Sequence, residues 1–105
     1  MNTKHTPGPW KTVQAKSAIS IKAHDGLVTI ANIGWMLRAN YPDTCEANAR
    51  LIAAAPDLLA ACELATHDLQ RMMALLEVHA KMSFKGGSFE SNLAELKEAI
   101  AKATA

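Results

Sequence analysis

The chain has 105 residues, half of them apolar and a fifth charged, with eleven basic against ten acidic side chains. This length fits one domain with a modest core, which oligomerisation would help to stabilise. The formal net charge of +1 argues against a dedicated nucleic-acid-binding protein, and the lack of an apolar run of about eighteen residues argues against a membrane span.

The first third of the sequence predicts β-structure. In "TPGPW", Pro7 and Gly8 are typical of the two central positions of a type II turn, in which glycine supplies a positive φ. Pro9 favours extended backbone before it, so "WKTVQ" is predicted to be a first strand. Trp10 could be a stacking platform for a ligand, but a tryptophan here more often seals a sheet against helices, and we favour that interpretation.

The segment "AISIKAHDGLVTIANI" predicts a β-hairpin with a two-residue turn at Asp25-Gly26. That turn pairs His24 with Leu27 and Ala23 with Val28, and the register continues to Ile21–Ile30 and Ile19–Asn32. One face then carries the apolar residues Ile19, Ile21, Ala23, Val28 and Ile30. A hairpin alone is barely stable in water, so this face is predicted to pack against the helices that follow.

The next segment, "GWMLRANYPDT", is an irregular connection, and Trp35–Leu37 are predicted to fold back onto the core. Asp43 followed by Glu46 favours a capping-box variant that opens a short helix over 44–54.

Pro56 lies in the middle of "EANARLIAAAPDLLAACELA", which otherwise favours helix throughout. Proline removes one helical hydrogen bond and disfavours helix at the residue before it, yet it suits the first turn of a helix. We therefore predict that one helix ends and a second begins here with a sharp bend, and a single kinked helix is the alternative.

From Leu58 onward the sequence favours a long helix that ends near Met82. Its apolar positions alternate in steps of four and three, which is a heptad pattern typical of helix-to-helix packing. We predict that this stripe forms the core or an oligomer interface, and it consists of Leu58, Cys62, Ala65, Leu69, Met72, Leu76 and His79. Leu59, Met73 and Ala80 are predicted to widen it into the face of a helix bundle.

A last helix is predicted over 89–103, capped by Ser88 or Ser91, with an apolar stripe of the same spacing. The two stripes are expected to meet in an antiparallel helical hairpin. The predicted fold class is α+β: a small antiparallel β-part over 1–34 and a helical part over 43–105, together one domain.

The two cysteines, Cys45 and Cys62, lie seventeen residues apart in helical sequence and form no CxxC motif. We interpret them as packed thiols without a disulfide, and we expect a cytoplasmic location, since the start of the chain has no apolar signal-peptide core. The histidines show no metal-ligand spacing, so neither a metal site nor a cofactor is predicted.

"HTPGPW" at 5–10 and "EANARLIAAAPDLLAA" at 46–61, with the DG hairpin between them, resemble a family of small uncharacterised phage and prophage proteins. The resemblance covers about the first two-thirds of the chain and not the part after Glu77. It implies a phage-encoded accessory protein in the bacterial cytoplasm and carries over no catalytic residues.

Two groups of residues are candidates for ligand binding. Asn48 and Arg50 lie on the first helix, where Asn48 shares a face with apolar residues and is expected to be partly buried; a structural role is the more common outcome. The segment "KGGS", from Lys85 through Gly86 and Gly87 to Ser88, precedes a helix and could bind an anion, although it lacks the phosphate-loop pattern and equally fits an ordinary turn.

No nucleophile, base and orienting group are evident, so the sequence does not indicate an enzyme. The leading hypothesis is a non-enzymatic homo-oligomer, assembled through the long helix, that binds a host protein. The first alternative is an oligomer that binds a nucleotide signal of host defence through Arg38, Arg50 and "KGGS". A nucleic-acid-binding regulator is a weaker alternative, because the net charge is close to zero.

Overall fold

The computed structural model of the chain describes residues 4–15, 18–34, 40–81, 83, 85 and 87–105. Its strands are β1 (Trp10–Gln14), β2 (Ile19–Ala23) and β3 (Val28–Ile33), and its helices are α1 (Pro42–Ala53), α2 (Ala55–His79) and α3 (Ser88–Thr104). They form two compact units, Met1–Leu58 and Leu59–Ala105. The predictions for Trp35–Leu37 and for a helix end at Met82 lie outside the described residues.

The three strands form one antiparallel sheet in the order β1-β2-β3. The turn between β2 and β3 is at the predicted dipeptide: Asp25 and Gly26 have φ of 55° and 93°, and the Leu27 amide donates to the His24 carbonyl at 3.2 Å. Positive φ at Asp25 and Gly26 matches the hairpin turn that Asp-Gly favours. His24 also has a positive φ of 53°, so residues 24–27 connect the strands and the predicted His24–Leu27 strand pair is not formed. The hairpin prediction is therefore confirmed at its turn.

The predicted register holds only near the turn. Ala23 pairs with Val28 and Lys22 with Thr29, but a bulge follows and Ile21 pairs with Ala31 instead of Ile30. A bulge adds one residue to one strand, which exchanges the faces of all later residues on that strand. The pairings Ile21–Ile30 and Ile19–Asn32 were therefore wrong.

The core of the first unit lies between the sheet and α1. Ile19 and Ile21 of β2 contact Cys45 and Ala49 of α1, and all four side chains are fully buried. Partly buried apolar residues pack around these four: Trp10, Ile30, Ala31, Ile33, Ile52 and Ala53. Burial of Ile19, Ile21 and Ala23 confirms the predicted face of β2. Val28 pairs with Ala23 and so lies on the same face, as predicted, but it is 37% exposed.

The N-terminal segment packs against the end of α1 and the start of α2. A Cβ atom on Gly8 would lie 3.1 Å from Cβ of Pro56, so the two sequence blocks meet at this glycine. Gly8 does not have the positive φ of a type II turn, which corrects the sequence prediction: its lack of a side chain serves a close approach instead. Trp10 lies two residues after Gly8, and its indole Nε1–H donates a hydrogen bond to the Thr6 carbonyl, with 3.0 Å between nitrogen and oxygen.

Pro56 separates two helices, as predicted. α1 ends at Ala53, Ala54 is the single intervening residue, and Pro56 occupies the first turn of α2. The start of α1 differs from the prediction, because Tyr41 and not Asp43 is its N-cap and no side chain caps it. Pro42 takes the first helical position, where its fixed φ suits the helix and its missing amide costs nothing.

The second unit contains most of α2 and all of α3. Both helices line a shared depression of about 300 Å³, so they lie side by side there; its lining residues are Glu63, Thr66, His67, Gln70, Lys97, Ile100 and Ala101. The short connection between His79 and Ser88 then requires the two helices to run antiparallel. The inward side chains of α3 are Leu93, Leu96 and Ile100. Gly87 is the N-cap of α3 and makes no side-chain cap hydrogen bond, so the predicted serine caps were wrong.

The α+β fold class, with an N-terminal antiparallel sheet followed by helices, is thus confirmed. The single-domain interpretation stays a prediction, and the first compact unit includes α1 in addition to the β-rich part.

Candidate functional site

The first predicted ligand pair, Asn48 and Arg50, lies on the outer side of α1. Both residues are exposed, so the expectation that Asn48 is partly buried was wrong. The buried positions of α1 are Cys45 and Ala49, and Asn48 precedes Ala49 by about 100° of helix rotation. Arg50 Nη2 contacts Glu46 Oε2 at 3.3 Å, beside a crevice of about 30 Å³, which is about the volume of one water molecule.

The second predicted ligand group precedes α3. Lys85, Gly87 and Ser88 are exposed, and Ser88 is the first residue of the helix, while Gly86 lies outside the described residues. Arg50 belongs to the first compact unit and Lys85 to the second. A ligand site built from both groups stays a prediction.

The predicted stripe on α2 divides between two environments. Cys62, Leu69 and Leu76 are partly buried, whereas Leu58, Ala65, Met72 and His79 are exposed. Side chains that form an interface between two copies are also exposed in a single chain. The role of the stripe as an oligomer surface therefore stays a prediction.

The inward face of α2 has the same heptad spacing but is rotated from the predicted stripe. It consists of Leu59, Cys62, Thr66, Leu69, Met73 and Leu76. Thr66 is its most buried member, and its hydroxyl donates to the Cys62 carbonyl at 2.8 Å. That bond satisfies the hydroxyl within the helix, which explains how a polar residue occupies a position that sequence reasoning assigned to its neighbour Ala65.

The side of α2 opposite its inward face carries large apolar side chains that point away from α3. Leu64, Met72, Leu75 and Val78 are between 54% and 72% exposed. By contrast, α1 and α3 each expose a single large apolar side chain among the described residues, Leu51 and Phe89. Among the described residues, this exposed apolar surface is a candidate interaction site.

A cavity of about 460 Å³ lies beside the hairpin turn, in the size range of small-ligand pockets. Lys11 of β1 and Lys22 of β2 line it from directly opposite positions, together with His24 and Asp25. Like charges directly opposite one another destabilise a sheet unless an anion or neighbouring carboxylate offsets them. Sequence reasoning missed this pair because β1 had no predicted pairing partner.

The remaining candidates are isolated. His5 makes an edge contact with Trp10 at 6.5 Å between ring centroids, and His67 Nδ1 lies 3.7 Å from Asp68 Oδ1 on the surface. Cys45 and Cys62 are free thiols, as predicted. Within the described part of the chain, no three histidine, cysteine, aspartate or glutamate side chains cluster as metal ligands. No described helix combines the length and apolar character that crossing a membrane requires.

A family model described as Salmonella phage P22 protein Y8K6 matches residues 1–105. The chain belongs to this family. It is a phage protein family of unknown function, and its model covers the C-terminal part that the motif resemblance did not reach. No curated protein and no solved structure matches this member of the Y8K6 family.

Proposed function

We propose that this Y8K6-family chain is a non-enzymatic phage accessory protein of the bacterial cytoplasm, which self-associates through α2 and binds a host protein. The observation that carries the proposal is the exposed apolar side of α2, with Leu64 at 67% and Val78 at 72% exposure. Covering such side chains releases about 25 cal/mol for each Å² of apolar area, which favours association.

The contact with the host protein is assigned to the first compact unit. That unit exposes Leu27, Tyr41 and Leu51, each more than 60% accessible. Tyrosine is among the residues that most often carry binding energy at protein interfaces, and apolar neighbours such as these leucines exclude water around it. The surface for self-association and the surface for the host protein then lie on different elements.

This separation gives a direct experiment. The variant Leu64→Ser/Leu75→Ser should lose self-association in sedimentation equilibrium and keep its host partner, and the matched variant Leu27→Ser/Leu51→Ser should do the reverse. The partner is captured by crosslinking in phage-infected cells, identified by mass spectrometry, and then purified for titration calorimetry. The proposal is refuted if the wild-type chain binds no purified candidate and both variants have the same mass as wild type in sedimentation equilibrium.

A small-ligand binder is the second candidate function, and the cavity beside Lys11 and Lys22 favours it. Two ammonium groups and His24 around one cavity, against the single carboxylate of Asp25, suit an anionic ligand such as a nucleotide signal of host defence. Thermal-shift measurements with cyclic nucleotides test this directly. The wild-type melting temperature should rise with one of them, and Lys11→Ala/Lys22→Ala should abolish the shift, whereas a wild-type chain without any shift removes this candidate.

A further inference from the structure

The outer face of α2 carries a second heptad pattern, two residues after each inward position. Two residues correspond to a rotation of about 200°, so this pattern lies on the opposite side of the helix from α3. We call it the outer seam, and its members are Ala61, Leu64, Asp68, Arg71, Leu75 and Val78. All six side chains are exposed.

The order of residues along the outer seam is symmetric. Counting outward from the peptide bond between residues 69 and 70, Asp68 is the counterpart of Arg71, Leu64 of Leu75, and Ala61 of Val78. Each apolar position thus has an apolar counterpart, and the acidic position has a basic one. A two-fold axis through this midpoint, perpendicular to the helix, would bring every residue against its counterpart on a second copy.

From this pattern we infer that the outer seams of two copies pack antiparallel, with Leu64 against Leu75 at both ends and two Asp68–Arg71 ion pairs at the centre. This inference rests on the proposed self-association and supplies its geometry. A two-fold interface must be self-complementary, because residue i meets residue j twice, and the outer seam meets that condition.

The charges select this orientation over the parallel one. In a parallel pair with the helices in register, Asp68 would face Asp68 and Arg71 would face Arg71, so like charges would repel at both positions. In the antiparallel pair, Asp68 faces Arg71 at both positions, so opposite charges attract. Asp68 is 72% exposed on a single chain, and its nearest described ionic contact is His67 of the same helix at 3.7 Å, so its carboxylate is accessible to a second copy.

The surface around the outer seam supports the same packing. The seam spans about 26 Å of helix axis at 1.5 Å per residue. Met72 and Ala65 lie beside it and are exposed, which widens the apolar area beyond a narrow stripe. These two residues also belong to the sequence-predicted stripe, so the outer surface of α2 includes part of that stripe.

Charge reversal tests the orientation with the full chain. Asp68→Arg and Arg71→Asp should each weaken self-association about tenfold or more, because two attractive pairs become repulsive in each homodimer. An equimolar mixture of these two variants should form a heterodimer whose affinity is close to that of the wild-type dimer, because an arginine then faces an aspartate at both central contacts. The double variant Asp68→Arg/Arg71→Asp, which exchanges the two charges, should also remain within about threefold of wild type.

Sedimentation equilibrium measures these affinities, and circular dichroism at low concentration confirms that each variant is helical. If a charge variant fails to fold, Leu64→Lys mixed with Leu75→Glu provides a second test, because only the antiparallel pair places these two positions opposite each other. The mixture should then associate more tightly than either variant alone.

The outcomes separate the geometry from the proposed function. If wild type dimerises but the single charge variants dimerise equally well, the antiparallel seam is refuted while self-association stands. If wild type remains a monomer at every concentration, the self-association half of the proposed function fails together with this inference. A host protein that binds only wild type and competes with dimerisation would assign the outer seam to that partner instead.

Discussion

Replacing Ile21 by alanine tests the core of the first unit most sharply. Ile21 is 0% exposed and packs between the sheet and α1 against Cys45 and Ala49. Removing three buried carbon atoms from such a site costs about 2–5 kcal/mol, from lost burial plus the cavity left behind. A chain of 105 residues has a free energy of unfolding of about 5–15 kcal/mol, so a cost in the middle of its range removes about a third of a stability in the middle of this one.

Urea unfolding at one fixed protein concentration, followed by far-ultraviolet circular dichroism, measures this loss. The expected decrease corresponds to a melting temperature lower by about 10 °C or more. Leu27→Ala is the matched control, since Leu27 follows the hairpin turn and is 87% exposed, and its cost should stay below about 0.5 kcal/mol. Equal costs for the two variants, or a cost below about 1 kcal/mol for Ile21→Ala, would refute the packing of β2 on α1.

Two further substitutions test the contacts that hold each unit. Gly8→Ala should cost about 1 kcal/mol, because its new Cβ would lie 3.1 Å from Cβ of the rigid Pro56 ring. In the control Gly34→Ala the new Cβ meets nothing within 4 Å, so this variant should be as stable as wild type. Equal melting temperatures for the two variants would contradict the contact between Gly8 and Pro56. Thr66→Lys should destabilise the helical hairpin by about 2 kcal/mol or more, and its exposed neighbour changed by Ala65→Lys should cost less than about 0.5 kcal/mol at concentrations where the chain is monomeric. If Ala65→Lys were the more damaging of the two in urea unfolding, α2 would face α3 with the sequence-predicted stripe.

The features that the sequence predicted correctly depend on strong local chemistry. Asp25-Gly26 defines its turn because both residues must take positive φ, which few other dipeptides tolerate. Pro56 separates α1 from α2 because a proline inside a helix loses a hydrogen bond and is compatible only with the first turn. Each of these effects acts within about four residues, so a single sequence contains the necessary information.

The features that it missed depend on contacts between distant residues. The bulge opposite Ile21 has no glycine to mark it, and the extra residue, Ile30, is as apolar as its neighbours. The contact between Gly8 and Pro56 joins positions nearly fifty residues apart. The cross-strand pair of Lys11 and Lys22 requires the pairing of β1, which an isolated strand pattern cannot supply.

The face of α2 was predicted with a rotation error for a related reason. Leucine, methionine and alanine occur on almost every side of this helix, so more than one heptad pattern fits the sequence. Thr66 decides the matter in the structure, since it is buried while Ala65 is exposed. An apolar pattern that fits twice also gives α2 one face for α3 and a second face, which we propose binds another copy.

The association state of the 105-residue chain tests the central claim most directly. Sedimentation equilibrium from low micromolar to several hundred micromolar concentration should show the mass rise from that of one 11.3 kDa chain to that of two. Leu64→Ser/Leu75→Ser should hold it at one chain mass over the same range. A wild-type chain that stays at one chain mass throughout would contradict self-association through α2.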